Sequence, residues 1–543
     1  MPVSPTYPGV YLTEVTSPVH TITGVPTSIA AFVGPAAQGP VNVATEVNSW
    51  AEFERTFGGL QPRTEMSYAV YQFFLNGGAT AQVVRVTGTP VKQPDGTTPS
   101  PASVAKYLLG TDTTVTPNTT LSLVANSPGT WADNYTVHIE ATKTLGPQAK
   151  PAGSAQKSDD SAPTPLPTYN LSVIDNATTL AVESYAGISA AGGAQGLAAQ
   201  LAASTIFTVD GDPTVQPVAA DITATTKGDN GPDVILNDLN LTFPADKQAV
   251  LDKIDIFNML CIPDAARLTV WTGSTDATSP DAEYTGFVSA ITKYCHDRRA
   301  MFLVDPPRAW PHNPTSIESE LVVHNLAIGA NAAFYYPRVS VVDPTSNAAR
   351  TLGPSGTLAG VYAATDTARG VWKAPAGTAA SLTGVVDLDV KLTDARNGDY
   401  NQLGVNCLRN FPIYGPVSWG ARTTNGADQD ADQWKYVPVR RTALFIEESL
   451  FRGTKWVVFE PNDEPLWASI RLNVGAFMNG LYRQGAFQGS TPQEAYLVKC
   501  DAENNPQSQI DLGIVNILVG FAPLKPAEFV IINIQQLTGD LTG

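Results

Sequence analysis

The sequence predicts a multidomain fold of the α/β and α+β classes, with an α/β core layer, a β-rich insertion and a C-terminal α+β domain. Strand and helix patterns alternate in two stretches, 27–88 and 233–375, which indicates one sheet flanked by helices. Between them, 89–232 is rich in Thr, Ala, Ser, Pro and Gly, and 376–526 contains a long amphipathic helix between β-prone runs. A chain of 543 residues exceeds one ordinary core, which favours two to four domains.

Residues 1–26 are predicted to form an extended N-terminal arm, because five prolines in this stretch exclude a helix. Between them, the run 9–15 alternates its side chains between two faces, as a strand does. A strand this far from any hairpin partner needs a sheet elsewhere, such as an edge of the sheet in its own domain. Its candidate pairing residues are Val10, Tyr11, Leu12, Thr13, Glu14 and Val15.

The α/β core domain is predicted to combine 27–88 with 233–375. In the first part, two short helices lie between two strands, and Asn48 or Ser49 is the expected cap of the first helix. In the second part, buried-strand runs alternate with helices, which predicts a parallel or mixed sheet. The predicted strands are Ser28–Gly34, Ala81–Val86, Asn258–Pro263, Ala300–Pro307 and Ala332–Arg338.

The 89–232 insertion is predicted to be a variable, β-rich domain that faces outward. Leu121–Val124, Tyr135–Glu140 and Tyr169–Ile174 are plausible strands, and 148–167 has the composition of a linker. Surface binding and simple decoration both fit this pattern, and the sequence does not choose between them.

The C-terminal domain, 376–526, is built around one helix. Its apolar residues recur at steps of three and four from Trp467 to Leu481, Pro465 lies in the first turn, and Gly485 ends the helix. Short β-prone runs surround it, and we predict strands at Lys435–Val439, Thr442–Glu447, Lys455–Glu460, Tyr496–Cys500 and Asp511–Val519.

Residues 527–543 close the chain with a bare apolar strand, although termini are usually polar and frayed. Such a strand needs a sheet edge, because an unpaired one promotes aggregation. The edge belongs either to its own sheet or to a neighbouring subunit, as in strand-addition complexes. The candidate exchange residues are Glu528, Phe529, Val530, Ile531, Ile532 and Ile534.

The charge balance limits the possible partners. The net charge is −17, which argues against nucleic acid, and charged residues make up only 15%, which fits a surface partly buried between subunits. The four cysteines are too widely spaced for a zinc site or a disulfide framework, and they suit a reducing compartment. No leader pattern or membrane-length apolar run occurs. We therefore expect a protein made in the cytoplasm that does not insert directly into a membrane.

The sequence contains no set of residues that requires catalysis. Asp264 and Asp305 follow predicted strands, where α/β enzymes place ligands, but residues beside proline at strand ends more often form turns. The five histidines have no metal-ligand spacing, and no nucleophile-elbow or phosphate-loop motif occurs. We predict no catalytic residue, no metal site and no cofactor.

Several charged residues cluster in the C-terminal domain, namely Arg440, Arg441, Glu447, Glu448 and Glu460. Opposite charges on neighbouring elements often form intramolecular pairs of little energetic value. Alternatively, they pair between subunits. The polar face of the long helix carries Arg471, Asn473 and Arg483, for which a solvated face is the simplest interpretation.

A series of short motifs runs through the C-terminal domain in a fixed order. They are Trp419–Thr423, Trp434–Arg441, Phe445–Ser449, Trp456–Asn462, Leu466–Trp467, Gly485–Ala486, Cys500–Asp501, Gly520–Pro523 and Pro526–Val530. Taken together, they resemble the contractile tail sheath proteins of phage tails and phage-like contractile injection systems. The resemblance resumes at the N-terminus, at Pro8–Tyr11, and is weak in the middle of the chain.

This resemblance implies a structural subunit that has no cofactor. It implies a homo-oligomer of stacked hexameric rings around an inner tube protein, with baseplate and terminal cap proteins as further partners, assembled in the bacterial cytoplasm. In that family the N-terminal arm and the C-terminal strand complete the C-terminal sheets of neighbouring subunits. A helix of this domain faces the tube, which makes Arg471, Asn473 and Arg483 candidate tube contacts.

Two other classes of protein stay open at this point. One is another self-assembling structural protein, of the capsid or surface-layer type. The other is a secreted α/β hydrolase with a β accessory domain, which the missing leader and catalytic motifs disfavour.

Overall fold

The computed structural model describes residues 20–92, 97–114, 117–142, 168–189, 193–240, 250–274, 276–310, 317 and 329–532. The predicted arm strand Val10–Val15 and the terminal residue Ile534 lie outside these ranges.

The described residues form strands and helices throughout. The strands are β1 (Ala30–Gly34), β2 (Ala44–Val47), β3 (Ala81–Arg85), β4 (Lys106–Asp112), β5 (Thr119–Ala125), β6 (Tyr135–Thr142), β7 (Thr168–Asp175), β8 (Leu180–Ser189), β9 (Phe207–Gly211), β10 (Asp221–Ile222), β11 (Met259–Cys261), β12 (Met301–Val304), β13 (Ala332–Tyr336), β14 (Val339–Val342), β15 (Ala349–Leu352), β16 (Val385–Leu388), β17 (Asn406–Phe411), β18 (Gly415–Ser418), β19 (Tyr496–Lys499) and β20 (Leu518–Phe521). The helices are α1 (Trp50–Phe57), α2 (Met66–Leu75), α3 (Leu197–Gln200), α4 (Leu236–Asn240), α5 (Pro263–Leu268), α6 (Pro280–Asp297), α7 (Ser355–Arg369), α8 (Asp394–Gln402), α9 (Val437–Gly453), α10 (Glu464–Arg483), α11 (Pro492–Ala495) and α12 (Gln507–Ile510).

The largest sheet has the strand order β18-β17-β13-β12-β11-β1-β3-β2. Strand β1 pairs in parallel with β11 on one side and with β3 on the other, and β12, β13 and β17 continue the parallel arrangement. The edge strands β2 and β18 run antiparallel to their neighbours. The predicted mixed sheet is therefore confirmed, and Ser49 caps α1 as expected, accepting a hydrogen bond from the backbone N–H of Glu52.

Both faces of this sheet are buried. Along β1, Ala30 and Phe32 enter one hydrophobic cluster, whereas Ala31 and Val33 enter the other. Helices α1, α2 and α7 contribute to the first cluster, and α5 and α6 to the second. Burial on two faces explains why the core strands are continuous apolar runs in the sequence.

The insertion forms two antiparallel sheets, β4-β5-β9 and β10-β6-β7-β8, which share their own hydrophobic cluster. This confirms a β-rich unit between the two parts of the core. The two chain segments that connect the insertion to the core lie side by side. Gly88, at the start of the insertion, is so close to its end that an added Cβ atom would lie 2.2 Å from the carbonyl oxygen of Pro232. The bounds 89–232 and the outward orientation stay predictions.

The core sheet continues past the predicted boundary at residue 375. Strand β17 pairs in parallel with β13, and β18 forms the following edge, so the sheet extends to Ser418. Strand β16 joins β14 and β15 in a small separate sheet. The α+β part that follows this sheet therefore begins later than position 376.

Residues 437–453 form helix α9, so the strands predicted at Lys435–Val439 and Thr442–Glu447 are wrong. Pro438 lies in the first turn, where its missing N–H removes no helical hydrogen bond. The β-branched residues suggested strands, but the segment is helical and its first two turns, 437–444, are buried on all sides. Tertiary packing therefore overrides local propensity here.

The long helix is confirmed as α10, with the side chain of Asp463 capping its N-terminus. The strand predicted at Lys455–Glu460 is wrong, because a 3₁₀ turn over Lys455–Val457 begins this stretch and no strand follows. Of the strand predicted at Asp511–Val519, only the last two residues belong to β20.

Candidate functional site

Strands β19 and β20 form a two-stranded antiparallel sheet, in which Tyr496 lies opposite Phe521 and Lys499 opposite Leu518. Within the described ranges neither strand pairs with a third, so each presents an edge of unpaired backbone groups. The side chain of Leu497 is also exposed. An isolated two-stranded sheet is marginally stable, and its free edges are able to accept further strands.

This hairpin packs on a hydrophobic cluster separate from the core sheet. Four residues from successive turns of α10 are buried in it, namely Ile470, Val474, Met478 and Leu481. Cys500, directly after β19, is buried in the same cluster, and so is Ile22 near the N-terminal end of the described chain. The two ends of the described chain therefore share one core.

Residues 20–27 run along helix α9 before the chain enters β1. The His20 ring stacks on Trp456 with 4.1 Å between ring centroids. The backbone N–H of Val25 donates to the hydroxyl of Ser449 over 3.2 Å. The root of the predicted arm is thus held against the C-terminal part of its own chain.

After β20 the chain continues to Ile532 without forming a strand. The side chains of Phe529, Val530, Ile531 and Ile532 are 74–84% exposed. Four consecutive large apolar side chains in water indicate a surface that another molecule covers. The predicted strand is not formed over 527–532, and pairing with a neighbouring subunit stays a prediction.

Glu528, directly before this exposed run, forms a bidentate ion pair with Arg422. The guanidinium Nε donates to one carboxylate oxygen over 2.8 Å, and Nη2 donates to the other over 2.6 Å. The Arg422 side chain is 0% exposed, and the hydroxyl of Tyr436 also donates to Glu528 over 3.2 Å. The paired fork geometry gives such a contact both strength and direction.

The predicted inter-subunit cations make ion pairs inside this chain. Arg441 binds Asp366 through two hydrogen bonds of 2.8 and 2.7 Å, and both side chains are buried. Arg440 binds Glu447 over 3.0 Å and donates to the side-chain oxygen of Asn331. A role for either arginine between subunits stays a prediction.

The predicted inter-subunit carboxylates are arranged differently from one another. Glu448 is buried between Arg299 and Arg452 and links α9 to the end of α6. Glu447 is partly exposed, and Glu460 is exposed on the turn before α10. Glu447 and Glu460 are therefore accessible to a partner, whereas Glu448 is already neutralised.

The three candidate tube contacts on α10 do not share one exposed face. Arg483 is exposed, and Arg471 is partly exposed while it binds Glu464 and the backbone oxygen of Cys500. Asn473 departs from the expected polar face, because it is 3% exposed and its amide donates to the backbone oxygen of Ser469. Contact with a tube stays a prediction.

The aspartates at the strand ends hold helix starts. Asp264 accepts hydrogen bonds from the backbone N–H groups of Glu65 and Met66 at the start of α2. Asp305 accepts from the N–H and the hydroxyl of Ser355 at the start of α7. Burial raises the pKa of Asp305 to about 6, while the Ser355 contacts act to lower it. Both carboxylates therefore stabilise the fold by accepting hydrogen bonds from the first residues of a helix.

The described part of the chain offers little support for metal binding or thiolate chemistry. It contains no group of three His, Cys, Asp or Glu side chains placed to hold a metal ion. All four cysteines are free and buried, and desolvation raises the pKa of Cys295, which opposes thiolate chemistry. Among the described helices, none has the length and apolar character needed to span a membrane.

Comparison with known proteins shows which proteins the α/β core, its C-terminal α+β unit and the open hairpin resemble. Residues 429–536 match the family model of the phage tail sheath C-terminal domain. The chain is 26% identical over 256 residues to the tail sheath protein of Vibrio phage KVP40. It is 28% identical over 222 residues to a prophage major tail sheath protein of Pseudomonas aeruginosa. The predicted relationship to contractile tail sheath proteins is thereby confirmed.

The aligned regions cover 47% and 40% of this chain, and they span 37% and 54% of the two relatives. Solved structures extend the likeness to the whole fold. The sheath of an extracellular contractile injection system in its contracted state matches with a TM-score of 0.56 and 20% identity, over 99% of both chains. A sheath tail protein from Listeria innocua matches with a TM-score of 0.57 and 14% identity, over 92% of this chain and 96% of its own. These structures confirm the predicted multidomain α/β and α+β class.

The ion pair between Arg422 and Glu528 was not predicted, although the sequence contains a signal for it. Arg422 is the only charged residue of the motif Trp419–Thr423, and Glu528 is the only charged residue of Pro526–Val530. A lone cation and a lone anion in two otherwise uncharged motifs suggest a pair, but 106 positions separate them and no sequence period links them.

Proposed function

We propose that this chain is the structural subunit of a contractile sheath, which polymerises around an inner tube and contracts to drive the tube through a target envelope. The observation that carries the proposal is the open β19-β20 hairpin beside an exposed apolar chain end. Within the described residues both edges of this hairpin are free, and the sequence contains two further strand-like runs, at 9–15 and 527–534.

The geometry favours donation of the terminal segment to a neighbour over completion of its own hairpin. Only six residues separate Phe521 from Glu528, and the Glu528 carboxylate is held by Arg422. Arg422 is in turn fixed to β17 of the core sheet, because its backbone N–H donates to the Asn406 side chain over 2.6 Å. Because Glu528 is held there, the exposed apolar residues that follow it have little chain with which to turn back onto β19 and β20, which favours donation to a neighbour.

In the proposed assembly, each subunit lends its N-terminal arm and its C-terminal strand to neighbours in stacked hexameric rings. Strand addition supplies backbone hydrogen bonds that keep the subunits linked while their rigid domains slide and repack. The extended sheath is a metastable state, and a baseplate signal releases it. Conformational energy replaces nucleotide chemistry, so the subunit is not an enzyme and has no cofactor.

The partners in this proposal are further copies of the chain, an inner tube protein, and baseplate and terminal cap proteins. The subunit is made and assembled in the bacterial cytoplasm as part of a phage tail or injection-system particle. Nucleic acid is excluded as a partner in the proposal because the chain is strongly acidic.

Deleting residues 530–543 tests the proposal, since it removes most of the terminal strand and leaves Glu528 in place. We expect the variant to stay folded and to lose long polymers in negative-stain electron microscopy. Deleting only 538–543 is the matched control and should leave polymer length unchanged. Polymers of full length after the larger deletion would contradict strand exchange through this segment.

A further inference from the structure

We propose that the Arg422–Glu528 ion pair is the anchor that ties the root of the exchanged C-terminal strand to its own subunit. This inference rests on the proposed sheath function, in which the strand is gripped by a neighbour and pulled when the assembly changes length. It adds the residues within the chain that resist that pull.

Few contacts other than this ion pair hold the terminal segment to the body of the subunit. After Ala522, whose backbone N–H donates to Ala495 over 2.8 Å, the described chain runs ten further residues to Ile532. Over 524–532, the hydrogen bonds of the described structure all involve the Glu528 carboxylate. This stretch has no backbone ladder to share a load, so attachment depends on one side chain.

The Arg422 guanidinium is held in position by contacts other than Glu528. Its Nη1 donates to the backbone oxygens of Asn401 and Gly426 over 2.7 and 3.1 Å, and to Asp428 over 2.9 Å. These contacts fix the plane of the guanidinium before Glu528 is considered. The remaining edge, Nε and Nη2, faces the Glu528 carboxylate and matches it as a fork.

Solvent exposure rises abruptly between Glu528 and the next residue. Glu528 is largely buried, whereas Phe529, the next residue, is exposed. The boundary between held chain and free chain therefore falls at one peptide bond. A pull on the residues beyond Glu528 reaches the core sheet through Arg422, because the Arg422 backbone is hydrogen-bonded to Asn406 of β17.

The test uses the purified full-length subunit and replaces Glu528→Gln, which keeps the shape and removes the charge. Chymotrypsin cleavage after Phe529, followed by intact mass spectrometry, reports how freely the segment opens. Cleavage after Phe459, which is fully exposed in the turn before α10, is the internal reference. Relative to that reference, we expect E528Q to lose 530–543 about tenfold faster than the native chain, since proteolysis follows the open population.

Two further variants keep the test specific. Arg422→Lys retains the charge but not the fork, and it should accelerate cleavage in the same direction. Glu503→Gln removes an exposed carboxylate that pairs with Lys499 elsewhere on the C-terminal domain, and it should change nothing. In E528Q the buried Arg422 keeps Asp428 as a counter-charge over 2.9 Å, so the variant is expected to stay folded, and its melting temperature is measured beside the cleavage rate.

A sedimentation assay on the same samples completes the design. Faster cleavage after Phe529 together with loss of most pelletable polymer supports the anchor. Unchanged cleavage in E528Q overturns it, and so does faster cleavage with full polymer yield, because the anchor then bears no load. If the native chain forms no polymer even with a tube partner, the proposed function fails instead, while the cleavage arm still reports on the ion pair.

Discussion

The ion pair between Arg441 and Asp366 gives the sharpest prediction about stability. It joins α9 of the C-terminal part to α7 of the core layer by two hydrogen bonds, of 2.8 and 2.7 Å, and the side chains are 4% and 3% exposed. Asp366→Asn removes the counter-charge and leaves the Arg441 guanidinium buried. Breaking a buried pair in this way costs about 3–5 kcal/mol.

The size of the thermal shift follows from the size of the unit. A domain of a few hundred residues loses about 2 °C of melting temperature per kcal/mol, so D366N should melt about 5–10 °C below the native subunit. Scanning calorimetry of the unpolymerised subunit measures this difference. Glu447→Gln is the matched control, because Glu447 is 43% exposed and its pair with Arg440 is worth less than about 1 kcal/mol.

A double substitution separates charge from packing. Asp366→Leu with Arg441→Met replaces the pair by apolar side chains of similar volume, which often restores stability. We expect the double variant to melt above D366N. If D366N melts at the same temperature as E447Q, the Arg441–Asp366 pair does not stabilise the isolated subunit. Arg441 would then be better placed as an inter-subunit contact.

Two further predictions concern buried titratable groups. Burial raises the pKa of Glu65 to about 7, although Arg338 and the N–H of Gly353 act to lower it. Between about pH 4.5 and 7, the folded chain therefore keeps a proton on Glu65 that the unfolded chain releases at the ordinary pKa of 4.5. The free energy of unfolding falls as the pH rises through this range, by about 3 kcal/mol in total. Urea midpoints across this range should show the slope in the native chain and a weaker one in Glu65→Gln; equal slopes contradict the assignment. All four cysteines are buried, so a thiol reagent should react only after unfolding, and rapid labelling of the native subunit contradicts that burial.

The sequence predicted the core well, because its signals are local. The strand Ala30–Gly34 is an uninterrupted apolar run, the strand Ala81–Arg85 is mainly apolar, and α10 shows a clear helical period between Asp463 and Gly485. Such patterns depend on burial alone, so they are visible without any knowledge of long-range contacts.

The sequence failed where distant residues decide the structure. Helix α9 was predicted as two strands, because its β-branched residues favour extended chain while its packing favours a helix. The addition of β17 and β18 to the core sheet depends on pairing with β13, in which Tyr335 lies opposite Asn406, 71 positions later in the chain. Hydrophobic periodicity cannot predict which distant strands pair or in which register.

The candidate site shows the same division. The apolar terminal run was predicted from its composition, and its exposure follows from the lack of a partner strand in the described chain. Its anchor at Glu528 was missed, because an ion pair between distant residues leaves no periodic trace. The buried position of Asn473 was missed because an amide was assigned to the polar face; its side-chain nitrogen donates to the backbone oxygen of Ser469, while its side-chain oxygen has no hydrogen-bond partner among the described residues.

The most direct test of the central claim is cryo-electron microscopy of polymers formed by the full chain, at a resolution that traces strands. The sheath account predicts hollow helical tubes with six subunits per ring. It also predicts a four-stranded C-terminal sheet, in which β19 and β20 are flanked by residues 9–15 of one neighbour and 527–534 of another. Polymers in which both edges of the β19-β20 hairpin stay bare, or in which each chain's terminal strand pairs with its own hairpin, would contradict the account.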